Sequence, residues 1–184
     1  MENSILPVIE NRYSVRNYID KEIPLETIKQ IAEVGRLSPT ASNRQPWEFV
    51  FVTDPEIRRK ICVQPFTLKA PLIIVGTVDS RITKKWEKVD LGIALQSMVL
   101  FCTSINLGTC YIGWFSESDV KNACKIPDTH KVLLLVTVGY SGPNATIPRI
   151  RKTLSDVAYF NTWKAGYDLP KAPGCHAFYQ EAYR

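Results

Sequence analysis

Two arginines and a serine alternate in Arg12-Tyr13-Ser14-Val15-Arg16. In an extended segment successive side chains point to opposite sides, so Arg12, Ser14 and Arg16 share a face. In a helix, Arg12 and Arg16 share one at i, i+4. Either geometry sets two guanidinium forks beside a hydroxyl, a donor set that suits a phosphate dianion. The plainer alternative is a pair of solvated arginines. A second basic pair, Arg149 and Arg151, also projects to one side of an extended segment, because Pro148 favours extension at Ile147. Thr153-Leu154-Ser155-Asp156 follows as a helix start, whose free amides suit an anion. Taken alone, that pair is also what an ordinary surface cluster looks like.

Between these basic ends lies Ser38-Pro39-Thr40-Ala41-Ser42-Asn43-Arg44-Gln45-Pro46-Trp47. Asn43 and Gln45 carry amides that both donate and accept, and Ser42 adds a hydroxyl. They complement a heterocyclic edge that alternates N–H and C=O, as the pyrimidine ring of a flavin does. An ordinary loop rich in turn residues has the same composition. Further on, Leu107-Gly108-Thr109-Cys110-Tyr111-Ile112-Gly113-Trp114-Phe115 places Gly113 where a backbone could approach a flat ligand with no Cβ in the way. A turn glycine is the alternative there.

The frame that must hold these residues is a mixed α and β chain of 184 residues, 45% hydrophobic and 22% charged. That length suits one domain with a proper core, and the composition excludes a disordered or collagen-like chain. No apolar run spans a membrane, and Met1-Glu2-Asn3-Ser4 lacks the basic start of a signal peptide, so a soluble cytoplasmic protein is expected. The formal charge of +5 is concentrated only at Lys84-Lys85 and Arg149-Ile150-Arg151-Lys152, too little for a nucleic-acid track.

Helices are expected over residues 5–11, from Pro24 to a stop at Gly35 and Pro39, from Asp54-Pro55-Glu56, over 86–107 with Gly108 as the stop, and from Ser116-Glu117-Ser118-Asp119. Strands are expected over 47–52, 72–78 and 131–139, with a short strand or turn in 109–115 and turns over 64–71. The helix of residues 86–107 is apolar almost all the way round and must be covered on every side, which predicts a second subunit.

Common catalytic signatures are missing. There is no G-x-G-x-x-G, G-x-x-x-x-G-K-[ST] or G-x-S-x-G, and the two histidines make a hydrolase triad improbable. The five cysteines form no Cys-x-x-Cys pair, so no metal site is expected. Cys175-His176 sits among Pro170, Pro173 and Gly174 and carries no catalytic or metal assignment.

Together, these elements resemble the nitroreductase family of FMN-dependent flavoproteins. Arg12, Ser14 and Arg16 match its opening signature, and Pro39 to Trp47 its polar loop, with Thr40 where the family often has Ser. Ala70-Pro71-Leu72-Ile73-Ile74-Val75, Asp90-Leu91-Gly92-Ile93-Ala94-Leu95-Gln96 and the Leu107-Gly108-Thr109 stretch follow in the family's order, and Arg149 and Arg151 close the pattern. The resemblance implies an α+β three-layer sandwich, a mixed central sheet flanked by helices, built as an intertwined homodimer with FMN at the interface. It implies an FMN-binding domain over residues 1–163 and a tail over 164–184 packed on the partner.

By the same resemblance, Arg12, Tyr13, Ser14, Arg16, Arg149 and Arg151 hold the phosphate and ribityl end of FMN. Ser42, Asn43 and Gln45 face the ribityl and pyrimidine side, and Tyr111, Ile112 and Gly113 lie near the reactive edge. The implied activity is ping-pong hydride transfer from NADH or NADPH, through flavin, to nitroaromatics, quinones or similar small acceptors, with no catalytic side chain required. A specialised flavin reaction of the same fold, dehalogenation or flavin breakdown, is the alternative, and a non-enzymatic nucleic-acid-binding protein is a more distant one. The connection over residues 79–86 is shorter than the flavin-covering insertion of larger members, so the acceptor pocket is not defined by the resemblance.

Overall fold

A computed structural model of the chain describes residues 5–61, 64–143 and 150–163. The chain divides into two units, Met1–Thr146 and Ile147–Arg184, each described by itself. Arg149, the tail 164–184 and the Cys175-His176 pair lie outside the described residues.

The first unit is built on four strands: β1 (Trp47–Val52), β2 (Leu72–Asp79), β3 (Gly108–Ile112) and β4 (His130–Gly139), in the order β1-β2-β4-β3. All three pairings are antiparallel. A parallel contact appears as the isolated bridge between Ser14 and Thr109. β2 is buried along its whole length, as its unbroken apolar run requires. Its Leu72, Ile74 and Val78 face one layer of core and its Ile73 and Val75 the other, the period-2 alternation of a strand covered on both sides. β4 adds one residue opposite the Gly76–Thr77 step, where the pairing jumps from Leu134 to Val132. This bulge turns Leu133 and Leu134 onto the same face of the sheet.

Helices cover both faces. α2 (Leu25–Arg36) and α5 (Glu87–Ser104) pack on the side of Leu72 and Ile74, and α3 (Pro55–Ile61) and α6 (Glu117–Cys124) on the side of Ile73 and Val75. The result is an α+β three-layer sandwich. α1 (Ile5–Asn11) precedes this body, and α4 (Pro65–Leu68) forms one helical turn within the expected turn region. Asp54 caps α3 through the amides of Glu56 and Ile57, and the Ser116 hydroxyl caps α6 through that of Asp119.

Two helix ends differ from expectation. α2 continues through Gly35 to Arg36. A Cβ on Gly35 would stand 1.9 Å from Met98 Cε, so this glycine allows α2 to approach α5 closely rather than ending the helix. α5 stops at Ser104, and the left-handed residue that follows is Asn106 (φ 61°), not Gly108.

α5 buries Leu91, Ala94, Leu95, Met98, Val99 and Cys102 but leaves Val89 and Ile93 exposed, and α1 exposes Ile5, Leu6 and Ile9. One chain therefore covers α5 on part of its circumference only. Among the described residues, no helix is long and apolar enough to cross a membrane, and no cluster of His, Cys, Asp and Glu could hold a metal ion.

Candidate functional site

The segment after α1 is extended and stitched to the sheet. Ser14 pairs with Thr109 at the start of β3, and the Val15 amide donates to the Thr109 carbonyl at 2.8 Å. Tyr13 and Val15 pack in a small cluster with Tyr18 and Ala70. Alternation then leaves Arg12, Ser14 and Arg16 on the opposite side. Three long-range contacts clamp the segment. The Tyr18 hydroxyl and the Thr137 hydroxyl share a 2.8 Å hydrogen bond, and Tyr18 bridges Ser141. The Tyr13 hydroxyl donates to Ser141 Oγ at 3.3 Å.

The electrostatics of β3 report what lies beside it. Burial pushes the Cys110 thiol up, while Arg16, the Ser14 hydroxyl and Arg12 pull it back, in that order. Burial raises the Tyr111 phenol to about 12, again against the pull of Arg12. Arg12, Ser14 and Arg16 therefore all act on Cys110 of β3, and Arg12 acts on Tyr111 as well. The Tyr111 hydroxyl donates to Gln96 Oε1 on α5 at 3.1 Å. Ile112 is buried, and Gly113 follows it into the open: a Cβ there would meet nothing within 4 Å, and the same is true of Gly92 on α5. Gly92 and Gly113 line one cavity with Lys88, Phe115 and Leu133. The Glu117 carboxylate at its edge is paired with Lys121 and accepts the Val132 amide.

The polar loop forms a 3₁₀ turn over Ala41–Asn43. Ser42 (φ 54°), Asn43 (φ 52°) and Gln45 (φ 49°) all take left-handed backbone conformations. For residues other than glycine this costs about 1 kcal/mol apiece, least for Asn. Three hydrogen bonds hold the shape. The Gln45 amide donates to Thr40 Oγ1 at 3.0 Å, Gln45 Nε2 donates to the Asn43 carbonyl at 3.2 Å, and the Ala41 amide donates to Asp90 Oδ1 at 2.9 Å. The Ser42, Asn43 and Gln45 side chains remain exposed.

The loop and the β3 residues beside the arginine segment hold on to α5 at different positions. Asp90, which holds the loop, and Gly92 and Gln96, which face β3, lie on different sides of α5. At 3.6 residues per turn they point about 160° and about 120° away from Asp90. The loop and β3 thus meet α5 on different sides. In the second unit, Arg151 is exposed and its guanidinium donates to the Ile150 carbonyl at 2.8 Å. Thr153 and Asp156 cap a 3₁₀ turn over Leu154–Asp156 reciprocally, as the helix-start pattern predicts.

The site has contributors that the sequence reading left out. Thr109, Thr137 and Ser141 hold the arginine segment, Gln96 holds Tyr111, and Asp90 holds the loop. For Asp90 a signal existed: an acidic residue inside an otherwise apolar helix, buried to 2% exposure.

The family model described as the nitroreductase family matches residues 9–64 and 62–140. A Haliscomenobacter hydrossis protein named iodotyrosine deiodinase is 40% identical over 187 residues, spanning 78% of this chain and 82% of its own. A Methanothermobacter thermautotrophicus protein provisionally designated an NADH dehydrogenase/NAD(P)H nitroreductase is 30% identical over 151 residues, spanning 76% of this chain and 78% of its own. Among solved structures, an FMN-dependent nitroreductase from Clostridium difficile R20291 superposes with a TM-score of 0.75 at 24% identity, covering 86% of this chain and 99% of that one. On the breadth of the family match and these relatives, the chain belongs to the nitroreductase family.

Proposed function

We propose that this oxidoreductase binds FMN and passes a hydride from NADH or NADPH to a nitroaromatic, quinone or similar small acceptor. The observation that carries the reading is the convergence of Arg12, Ser14 and Arg16 on β3, the strand that runs out into the open backbone at Gly113. The donor set fits the group. Two guanidinium forks and a hydroxyl suit a phosphate dianion, and Gly113 admits a flat ring against the backbone. Ser42, Asn43 and Gln45 supply exposed donors and acceptors for a pyrimidine edge. Bound FMN would supply the hydride chemistry. The chain's own residues bind, orient and exclude water, and no titrating side chain is asked to act as acid or base.

Because the loop and β3 meet α5 on different sides, the reading includes a homodimer in which the loop of one copy completes the arginine site of the other. The uncovered apolar residues Val89 and Ile93 of α5 and Ile5, Leu6 and Ile9 of α1 give such a partner a surface to cover. Arg149, Arg151 and the tail 164–184 belong to the same reading, as further phosphate ligands and as a segment packed on the partner.

Purified protein tests it. Wild type should carry bound flavin absorbance that NADH or NADPH bleaches and a nitroaromatic or quinone restores. The double variant Arg12→Ala/Arg16→Ala should lose FMN affinity at least about tenfold, the scale of one or two charge-assisted hydrogen bonds, while riboflavin affinity stays unchanged. Full FMN affinity in that variant would remove the phosphate role.

The 40% identity to the deiodinase favours a second reading, reductive removal of halide from a halogenated phenol. Halide release with such a phenol, without turnover of nitroaromatics or quinones, would select it.

A further inference from the structure

Five buried side-chain polar atoms among the described residues have no hydrogen-bond partner: Trp47 Nε1, Ser80 Oγ, Glu87 Oε2, Asp90 Oδ2 and His130 Nε2. Their residues meet at one end of the sheet. The Asp79 amide donates to the Pro46 carbonyl beside Trp47, Ser80 to the Thr129 carbonyl beside His130, and Lys131 reaches Glu87 on the first turn of α5 at 3.0 Å. Buried polar atoms are ordinarily paired, so such a concentration calls for an explanation in what the groups do. Asp90 is the member with a visible task.

Asp90 is 2% exposed, and one oxygen accepts the Ala41 amide while the other is left without a partner. A carboxylate kept in that state is costly, and an apolar residue would pack there at less expense. Its single hydrogen bond fixes the entry of the loop that carries Ser42, Asn43 and Gln45. Within residues 40–45 the other side-chain hydrogen bonds are internal, Gln45 to Thr40 and Gln45 to Asn43, while the loop's two ends are held by Ser38 Oγ donating to the Val34 carbonyl and the Asp79 amide donating to the Pro46 carbonyl. Asp90 therefore ties the left-handed loop conformation to the rigid core.

Resting on the flavin reading above, we propose that Asp90 is a positioning residue. Through the Ala41 amide it sets the loop in the conformation that presents Ser42, Asn43 and Gln45 to the ring end of the flavin. Asp90 touches neither cofactor nor substrate in this arrangement, and it acts on the ring end, whereas Arg12 and Arg16 act on the phosphate end.

Titration of FMN and riboflavin into apoprotein separates the two ends. Asp90→Ala should weaken both ligands by the same factor, at least tenfold, and should change the visible circular dichroism of the flavin bound at saturation. Asp90→Asn keeps an oxygen for the Ala41 amide and should stay within threefold of wild type. Ala41→Pro deletes the donor, after a Thr40 whose extended backbone (φ −137°, ψ 157°) suits a following proline. It should reproduce the loss, and combining it with Asp90→Ala should cost no more than either change alone. If Asp90→Ala fails to fold, Asp90→Asn and Ala41→Pro carry the comparison. Unchanged binding in Asp90→Ala or Ala41→Pro overturns the proposal. So does a lower melting temperature with an unaltered saturated spectrum, which marks a purely structural role. Wild-type protein that binds neither flavin sinks the underlying reading, and this inference with it.

Discussion

Asp79 is nearly buried, and its carboxylate forms a salt bridge with the exposed Arg81 guanidinium at 2.6 Å. The Arg81 side chain and then its backbone amide hold the acid down from an ordinary 3.8 to about 2. A carboxyl whose acidity is strengthened by folding stabilises the fold above its unfolded value and loses that contribution as protonation overtakes it. Urea midpoints of wild type and Asp79→Asn should therefore differ by a constant gap above about pH 4, narrowing as the pH falls toward about 2. At this scale the alternation of Arg12, Ser14 and Arg16 was legible because a strand's side-chain period is fixed. The amide-bearing residues of the loop were legible by type. Their left-handed backbone was not, since no glycine marks it. The role of Asp90 was not legible either, because its partner lies 49 residues away and only folding brings the two together.

Elements were legible where a local signal governs them. Asp54-Pro55-Glu56 and Ser116 start helices as their capping chemistry dictates, and the apolar run of β2 lies covered on both faces. Glycines misled, because a glycine that ends a helix and one that admits a neighbour look alike in sequence. Gly35 is of the second kind, and so is Gly108. A Cβ on Gly108 would stand 2.5 Å from Val15 Cγ2 and 2.6 Å from Ser141 Oγ. Val15 is 1% exposed and branched at Cβ, so it has little freedom to yield. Gly108→Ala should cost about 1–3 kcal/mol of stability by urea unfolding, the usual range for overpacking. Because Val15 lies between Ser14 and Arg16, the same change should also lower FMN affinity more than riboflavin affinity.

At the scale of the whole molecule, the all-round apolar pattern of α5 led to the expectation of a covering partner; among the described residues, Val89 and Ile93 of α5 are exposed. In the proposed dimer, which copy supplies each half of the site depends on the side of α5 from which Asp90 projects, and that was beyond sequence. Mixing two defective subunits tests the arrangement. One carries Asp90→Ala with intact arginines, the other Arg12→Ala/Arg16→Ala with an intact loop. If loops serve the opposite copy, the mixed dimer regains one tight flavin per pair of chains; if each chain serves itself, it regains none. The clamp on the arginine segment bears on assembly as well. Tyr13 meets Ser141 across 128 residues of chain and Tyr18 meets Thr137 across 119. The arginine segment is synthesised well before Thr137 and Ser141, so its docking place exists only after most of this unit has been made. On the flavin reading, a nascent polypeptide carries these arginines undocked until then, and cofactor capture would be a late event that seals the newborn fold.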